Sequence, residues 1–260
     1  MSRGFGVAAG LDAEVAKPLA ERCAALGYDS IWSNDTPLGS GLATLAGFAA
    51  GSENIDLGVT LALDRHPPDA IAAQIEELGL PRERLSVAVG AGHSPRALTA
   101  MREALPRLRE ALGDIHIVLA AMGPRMCALG GAEFDGVFFN WITPDFAASA
   151  REHVERGAAE AGREAPPVFG YVRTAVGEDA QRRLTKEESF YRDLHDGYRN
   201  HFARLDEPEG TVGVAAADGA EAQRALAAYE ALDVLVVRAL ASANLDAMTA
   251  LAEAAAPAHA

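Results

Sequence analysis

The chain reads as a closed parallel (β/α)8 barrel, a TIM-type α/β fold, on three observations. Short β-rich apolar runs alternate eight times with longer stretches of helical period, which implies parallel strands joined by crossovers. The runs are apolar almost throughout, as in Ile115-His-Ile-Val-Leu-Ala-Ala and Val234-Leu-Val-Val, the pattern of strands covered on both faces. Finally, 260 residues at 49% apolar content can bury one large core. Length alone fits one barrel or two ordinary domains; eight such units favour a single domain over residues 1–260.

The eight runs are Gly4–Ala9, Ser30–Ser33, Ile55–Leu61, Leu85–Gly90, Ile115–Ala121, Gly136–Trp141, Val168–Thr174 and Val234–Ala239. Helical segments follow from near Asp12, Gly41, Pro67, Ser94, Gly123, Pro144, Glu178 and Ala243. Thr143-Pro144 and His66-Pro67 put proline at the first helical position, and Ser94-Pro95 supplies a cap plus proline. Closure requires the first run to pair with the last.

One region breaks the repeat. A helical insertion at about 180–230 separates the seventh run from the eighth, with a polar stretch Glu187–Arg204 and an apolar run Thr211–Ala216. Tyr191, His195, Tyr198 and His201 recur there at helical intervals, so the segment reads as a lid over the mouth, or equally as a ninth, edge-type strand with helices padding the outer ring.

Composition narrows the partners. The net charge of −14 is spread along the chain and repels phosphate backbones and anionic lipid alike; no nucleic acid and no membrane partner is expected. The sequence shows neither a span of about 18 uncharged apolar residues nor a signal peptide, and the default is a cytoplasmic protein. Cys23 and Cys127 fall inside expected helices without metal-ligand spacing and read as buried thiols. The expected partners are a small-molecule substrate and a second copy of the chain in a homodimer.

In such a barrel the chemistry sits on the loops after the strands. These carry Asn34, Asp35 and Thr36; Asp64, Arg65 and His66; Gly90, Ala91, Gly92 and His93; Met122-Gly123-Pro124-Arg125; Asn140 and Trp141; Tyr171 to Thr174; and Arg238. No metal-ligand spacing, G-x-S-x-G elbow or strand lysine stands among them, a set of weak acid–base groups that suits a cofactor bearing the reactive centre itself. At Met122–Arg125 a strand ends in glycine and proline where a helix begins, a phosphate anchor built from amides, helix dipole and Arg125; spacing alone equally allows an ordinary βα turn with a solvated arginine. Gly90-Ala91-Gly92 either admits a planar ring or only turns the chain.

At these segments the sequence resembles the luciferase-like monooxygenase superfamily, in particular its short members grouped with coenzyme F420-dependent reductases and flavin-dependent oxidoreductases. The matching pieces are LAERCAALGYDSIWSNDTP, ENIDLGVTLALDRHPP, LPRERLSVAVGAG and VLAAMGPRMCALGGAEFDGVFFNWITP; the last, with its order strand, G-P-R-M, helix, E-x-D-G, strand, N-W, is the most specific. The chain departs from the family's L-D-x-L-S-x-G-R phrase, reduced here to the stretch Glu77 to Leu85.

The resemblance implies a bacterial-luciferase-like barrel holding coenzyme F420 or FMN, and an oxidoreductase passing hydride between that cofactor and a small organic substrate. It implies a non-proline cis peptide at Thr60–Leu61 behind the ring, and phosphate binding at Gly123, Pro124 and Arg125. Asn34, Asp35 and His93 are the expected catalytic residues, His93 as proton donor because its pKa suits exchange near neutrality; His93 also reads as a loop residue capping the next helix. Thr60, Leu61, Gly90, Gly92, Met122, Gly123, Pro124, Arg125 and Asn140 are expected to hold the cofactor. An oxygen-using FMN monooxygenase, a flavin-binding relative without turnover and a cofactor-free lyase are the other readings, and Met122, Phe138, Phe139 and Trp141 read either as an apolar mouth or as core packing.

Overall fold

A computed structural model describes residues 1–37 and 39–257. Eight parallel strands form the closed ring: β1 (Ser2–Ala8), β2 (Ser30–Asn34), β3 (Asp56–Ala62), β4 (Leu85–Gly90), β5 (His116–Ala121), β6 (Gly136–Asn140), β7 (Val168–Val176) and, after a short β8 (Val214–Ala216), β9 (Val234–Ala239). Each strand pairs with the next, β7 pairs with β9, and β9 closes on β1 through Ser2↔Val234 to Gly6↔Arg238.

Helices α1 (Ala13–Ala25), α2 (Gly41–Ala49), α3 (Pro68–Glu77), α4 (Ala97–Leu112), α5 (Pro124–Glu133), α6 (Pro144–Glu160), α7 (Ala180–Leu194), α8 (Asp196–Leu205), α9 (Gly219–Ala227) and α10 (Leu245–Ala254) complete the chain. Their starts follow local chemistry: Thr143 Oγ1 accepts from the Phe146 amide at 3.2 Å ahead of Pro144, and Ser40 and Asn244 cap α2 and α10 the same way. Two expected starts shift. Pro67 is the cap residue and Pro68 the first helical one. Ser94 and Pro95 lie in a turn, and α4 begins at Ala97, since the chain first folds back so that the His93 amide meets Asp64.

The insertion contains both expected features. Thr174 of β7 pairs with Ala239 on one edge and Val214 on the other, so β8 is a ninth strand on the edge that β6 leaves free beyond Asn140. Helices α7 and α8, in contrast, cover the C-terminal mouth: Trp141, Leu184, Phe202, Val212 and Leu240 form one buried cluster there, with Tyr191 and Tyr198 packed on it.

Two expectations at strand ends fail. The Thr60–Leu61 peptide is trans, as are all peptides among the described residues. The reason is visible in the register, which runs unbroken from Leu57↔Leu85 to Ala62↔Gly90 and leaves no bulge in β3. The sixth strand stops at Asn140 rather than Trp141, because Trp141 turns the chain with φ of 54°.

Inside the ring, alternation sends Trp32, Ala88, Val118, Phe138, Phe169, Tyr171 and Val236 into the bore as a packed core of their own. Ring centroids of 4.8 Å for Trp32–Phe138 and 4.5 Å for Phe138–Tyr171 define a plug. The opposite strand faces meet the helices, burying Leu61 and Phe139 there. Gly58 makes the plug possible, since a Cβ at this position would fall inside the Trp32 ring.

We therefore expect Gly58→Ala to destabilise the fold by about 1–3 kcal/mol through overpacking. At Gly90 a Cβ would meet Ala120 at an ordinary 3.5 Å, so Gly90→Ala should change stability by less than about 0.5 kcal/mol. Urea unfolding of the two variants beside the parent checks this; equal midpoints would contradict the packed bore.

Candidate functional site

Above the plug, the next inward positions form the floor of an open cleft of about 2530 Å³ at the C-terminal mouth. Ligand pockets for drug-sized molecules measure roughly 300–1,000 Å³, so this one has room for an extended cofactor together with a substrate. The floor is divided. On β1 and β3–β5 it is small: Ala8, Thr60, Ala62, Gly90 and Ala120. On β2, β6, β7 and β9 it is polar: Asn34, Asn140, Arg173 and Arg238.

Charge is inverted in the cleft. Eight of the chain's 23 basic side chains line it (Arg65, Arg96, Arg125, Arg173, Arg183, Lys186, Arg204 and Arg238), but only three of its 37 acidic ones, Asp35, Glu187 and Asp196. A protein of net charge −14 thus carries a formal excess of five positive charges at its mouth, which favours an anionic ligand.

The expected residues take different places. Asn34 ends β2 on the floor, its Oδ1 accepting from Arg238 Nε at 2.7 Å. Asp35 beside it is 5% exposed and fully engaged: Oδ1 accepts from the Gly41 amide at 3.0 Å, and Oδ2 meets His66 Nε2 at 2.9 Å and Arg65 at 3.1 Å. This carboxylate ties the β2–α2 and β3–α3 loops together at the mouth. His93, at 68% exposed, sits on the rim, with Nδ1 held by Asp64 Oδ2 at 2.9 Å and its ring 5.0 Å from that of His195. Gly92 has φ of +60°, and a side chain there would collide with Asp64; this glycine serves the Asp64–His93 contact. Leu61 can offer the cleft only its backbone, because its side chain is buried under the helices.

The β5–α5 turn forms the opposite wall. Gly123 caps α5, and Pro124 opens it; the exposed Arg125 makes no hydrogen bond or ion pair among the described residues. Helix α8 leans on this turn. His201, fully buried, meets Trp141 O through Nε2 at 2.6 Å, while Arg204 Nη2 donates to Met122 O at 3.2 Å and approaches His201 Nδ1 at 3.4 Å. Nδ1 lies 3.2 Å from Met122 O, so both ring nitrogens face main-chain carbonyls. Burial first, and the Arg204 charge with it, push the His201 pKa below its ordinary value.

Trp141 is the hinge of the arrangement. A left-handed non-glycine backbone is strained, and it is held by the His201 bond on one side and by Arg173, whose guanidinium lies 4.0 Å above the indole, on the other. Tyr191 and Tyr171 also face that guanidinium, at 5.1 and 5.8 Å, and Asn140 both accepts from it and donates to Tyr198. The sequence placed Arg173 and Arg238 only among residues following strands. The missed signal was a single charge inside each otherwise apolar strand, at inward parity.

The profile of a family described as luciferase-like monooxygenase matches residues 104–245, more than half of the chain. Among solved structures, an F420-dependent secondary alcohol dehydrogenase, in complex with an F420-acetone adduct, superposes with a TM-score of 0.75 at 15% identity, with 98% of each chain covered. The coenzyme F420-dependent tetrahydromethanopterin reductase of Methanopyrus kandleri gives 0.74 at 16% identity, covering 97% of this chain and 96% of that one. The oxygenating constituent of 3,6-diketocamphane monooxygenase from Pseudomonas putida, in complex with FMN, gives 0.66 at 15% identity, with 99% of each covered. At such identities the likeness is one of fold. No curated protein sequence matches the chain.

The His201 clamp has a pH dependence of definite sign. A base whose folded pKa lies below its unfolded value of about 6.5 contributes stability that is complete above that pH and is lost as pH falls toward the folded pKa. Amide exchange in α8 should therefore speed up between pH 7.5 and 5.5 relative to the barrel strands, and His201→Gln should flatten that dependence. Equal pH response of α8 in the parent and the variant would show that His201 does not hold the helix.

Proposed function

Because the chain belongs to the luciferase-like monooxygenase family, we propose that it is an oxidoreductase that binds coenzyme F420 or FMN in this cleft and transfers hydride between it and a small organic substrate. The observation that carries the reading is the charge inversion of the mouth beside a floor of small residues. Phosphate-bearing cofactors with planar rings need both, and the residues present fit them. The excess of five positive charges favours F420, whose phosphodiester and carboxylate tail carries more negative charge than the single phosphate of FMN. When bound, either cofactor supplies hydride chemistry, and reduced FMN can in addition activate oxygen.

The chain's own residues bind, orient and shield. Thr60, the Leu61 backbone, Gly90 and Asn140 hold the ring; the Gly123 turn and Arg125 hold the phosphate, through amides and helix dipole at the start of α5. Asn34 orients the reacting groups, with Asp35 keeping its loop in place. His93 exchanges a proton at Nε2, its other nitrogen being fixed by Asp64. Helices α7 and α8 exclude water from the floor. The active form in this reading is a cytoplasmic homodimer; no described helix is long and apolar enough to cross a membrane.

Titration of the purified protein with F420 and with FMN, followed by fluorescence, tests the reading directly. A charge-assisted contact is worth roughly 1.5–3 kcal/mol, so Arg125→Ala should weaken cofactor binding about ten- to a hundredfold. A Cβ at Gly123 would meet only Arg204, at 3.8 Å, so Gly123→Val should fold normally yet retain no cofactor. Unchanged dissociation constants for both variants would remove the anchor from this turn.

A further inference from the structure

We propose that Arg173 and Arg238 form a receptor for a carboxylate on the substrate, so that the substrate class is a small carboxylic acid with an apolar or aromatic body. The inference rests on reading the cleft as the site where cofactor and substrate meet. The two arginines occupy register-paired positions on β7 and β9, both point into the mouth, and they are 2% and 4% exposed. Among the described residues neither forms a salt bridge; Glu187 lines the same cleft and acts on Arg238 only through longer-range attraction.

Their hydrogen bonds go to neutral oxygens instead. Arg173 donates to Asn140 Oδ1, and Arg238 donates to Asn34 Oδ1 and to Ala239 O, each at 2.7 Å. Arg173 Nε, which is buried, has no partner among the described residues. Native proteins leave few such groups unsatisfied, and each one needs an explanation. The cage of Trp141, Tyr171 and Tyr191 stabilises one cation but neutralises neither. Two like charges side by side, away from water, repel each other, and an anion between them offsets that repulsion.

Geometry selects the anion's chemistry. A guanidinium presents a planar fork that matches a carboxylate through two parallel bonds, and the Phe138, Tyr171 and Tyr191 rings that line the cleft offer an apolar seat next to it. The pair lies on the floor, two and three strands away from the exposed β5–α5 turn assigned to the cofactor phosphate, so one anion does not serve both places. The other cleft arginines differ: Arg183 gives both terminal nitrogens to the Val176 and Leu240 carbonyls, with only its Nε unpaired, and Arg204 donates to that of Met122.

The test uses the cofactor-free protein, so that a failure to bind F420 or FMN does not bear on it. Tryptophan fluorescence, reporting Trp141 beneath Arg173, is followed during titration with benzoate and with its neutral isostere benzamide, and binding is confirmed by calorimetry. Benzoate should saturate, with benzamide at least about tenfold weaker. Arg238→Gln should cost benzoate about tenfold or more, while Arg173→Lys, which keeps the charge and loses the fork, should cost less. Melting curves verify folding, and Arg173→Lys decides the matter if Arg238→Gln does not fold. Arg125→Ala should leave benzoate affinity unchanged. Equal binding of benzoate and benzamide, no saturable benzoate binding, or a loss with Arg125→Ala but not with the floor variants would overturn the proposal.

Discussion

Closure of the ring through β7 is the constraint on which the other features depend. This strand hydrogen-bonds to β6, to β9 and, beyond Thr174, to β8, so its register fixes the inward parity of both walls that meet it. Parity in turn puts Tyr171 in the plug and Arg173 one step above it, level with Arg238. A slip of one residue would exchange these side chains for Val172 and Thr174. The division of the floor into a small-residue half and a charged half is thus a consequence of strand pairing.

The Trp141 turn joins barrel and insertion. By ending β6 early it vacates the edge that β8 takes, and its carbonyl and ring become the seat of α8 and Arg173. The insertion is therefore neither pure padding nor a detached flap. Its strand extends the sheet and its helices roof the mouth, with Glu188, buried and bonded to Arg192 and the Val212 amide, tying the two parts together.

Much of this was legible in the sequence, and the reasons are physical. The alternation of apolar runs and helical stretches is a periodicity, and every one of the eight barrel strands lies where it predicts. The turn between β5 and α5 was visible because proline and glycine mark backbone geometry directly. What stayed hidden depends on side-chain direction and long-range pairing. Parity at Leu61 and Phe139 sends those residues under the helices; Asp35 is consumed by His66 and Arg65, thirty residues further on; and the regular register of β3 excludes the bulge that the family resemblance suggested. The arginine pair was hidden for the same reason, since its members are distant in sequence and meet only when the ring closes.

The carbonyl of Met122, gripped by Arg204, belongs to the same turn as Gly123 and Arg125. The roof and the β5–α5 turn are therefore not independent equilibria. If filling the turn favours the docked α8 by some factor, then docking of α8 must tighten whatever fills the turn by that same factor, as linkage requires. Affinity at the turn would then inherit the acid sensitivity of the imidazole that holds the roof, although that imidazole is buried behind the main chain.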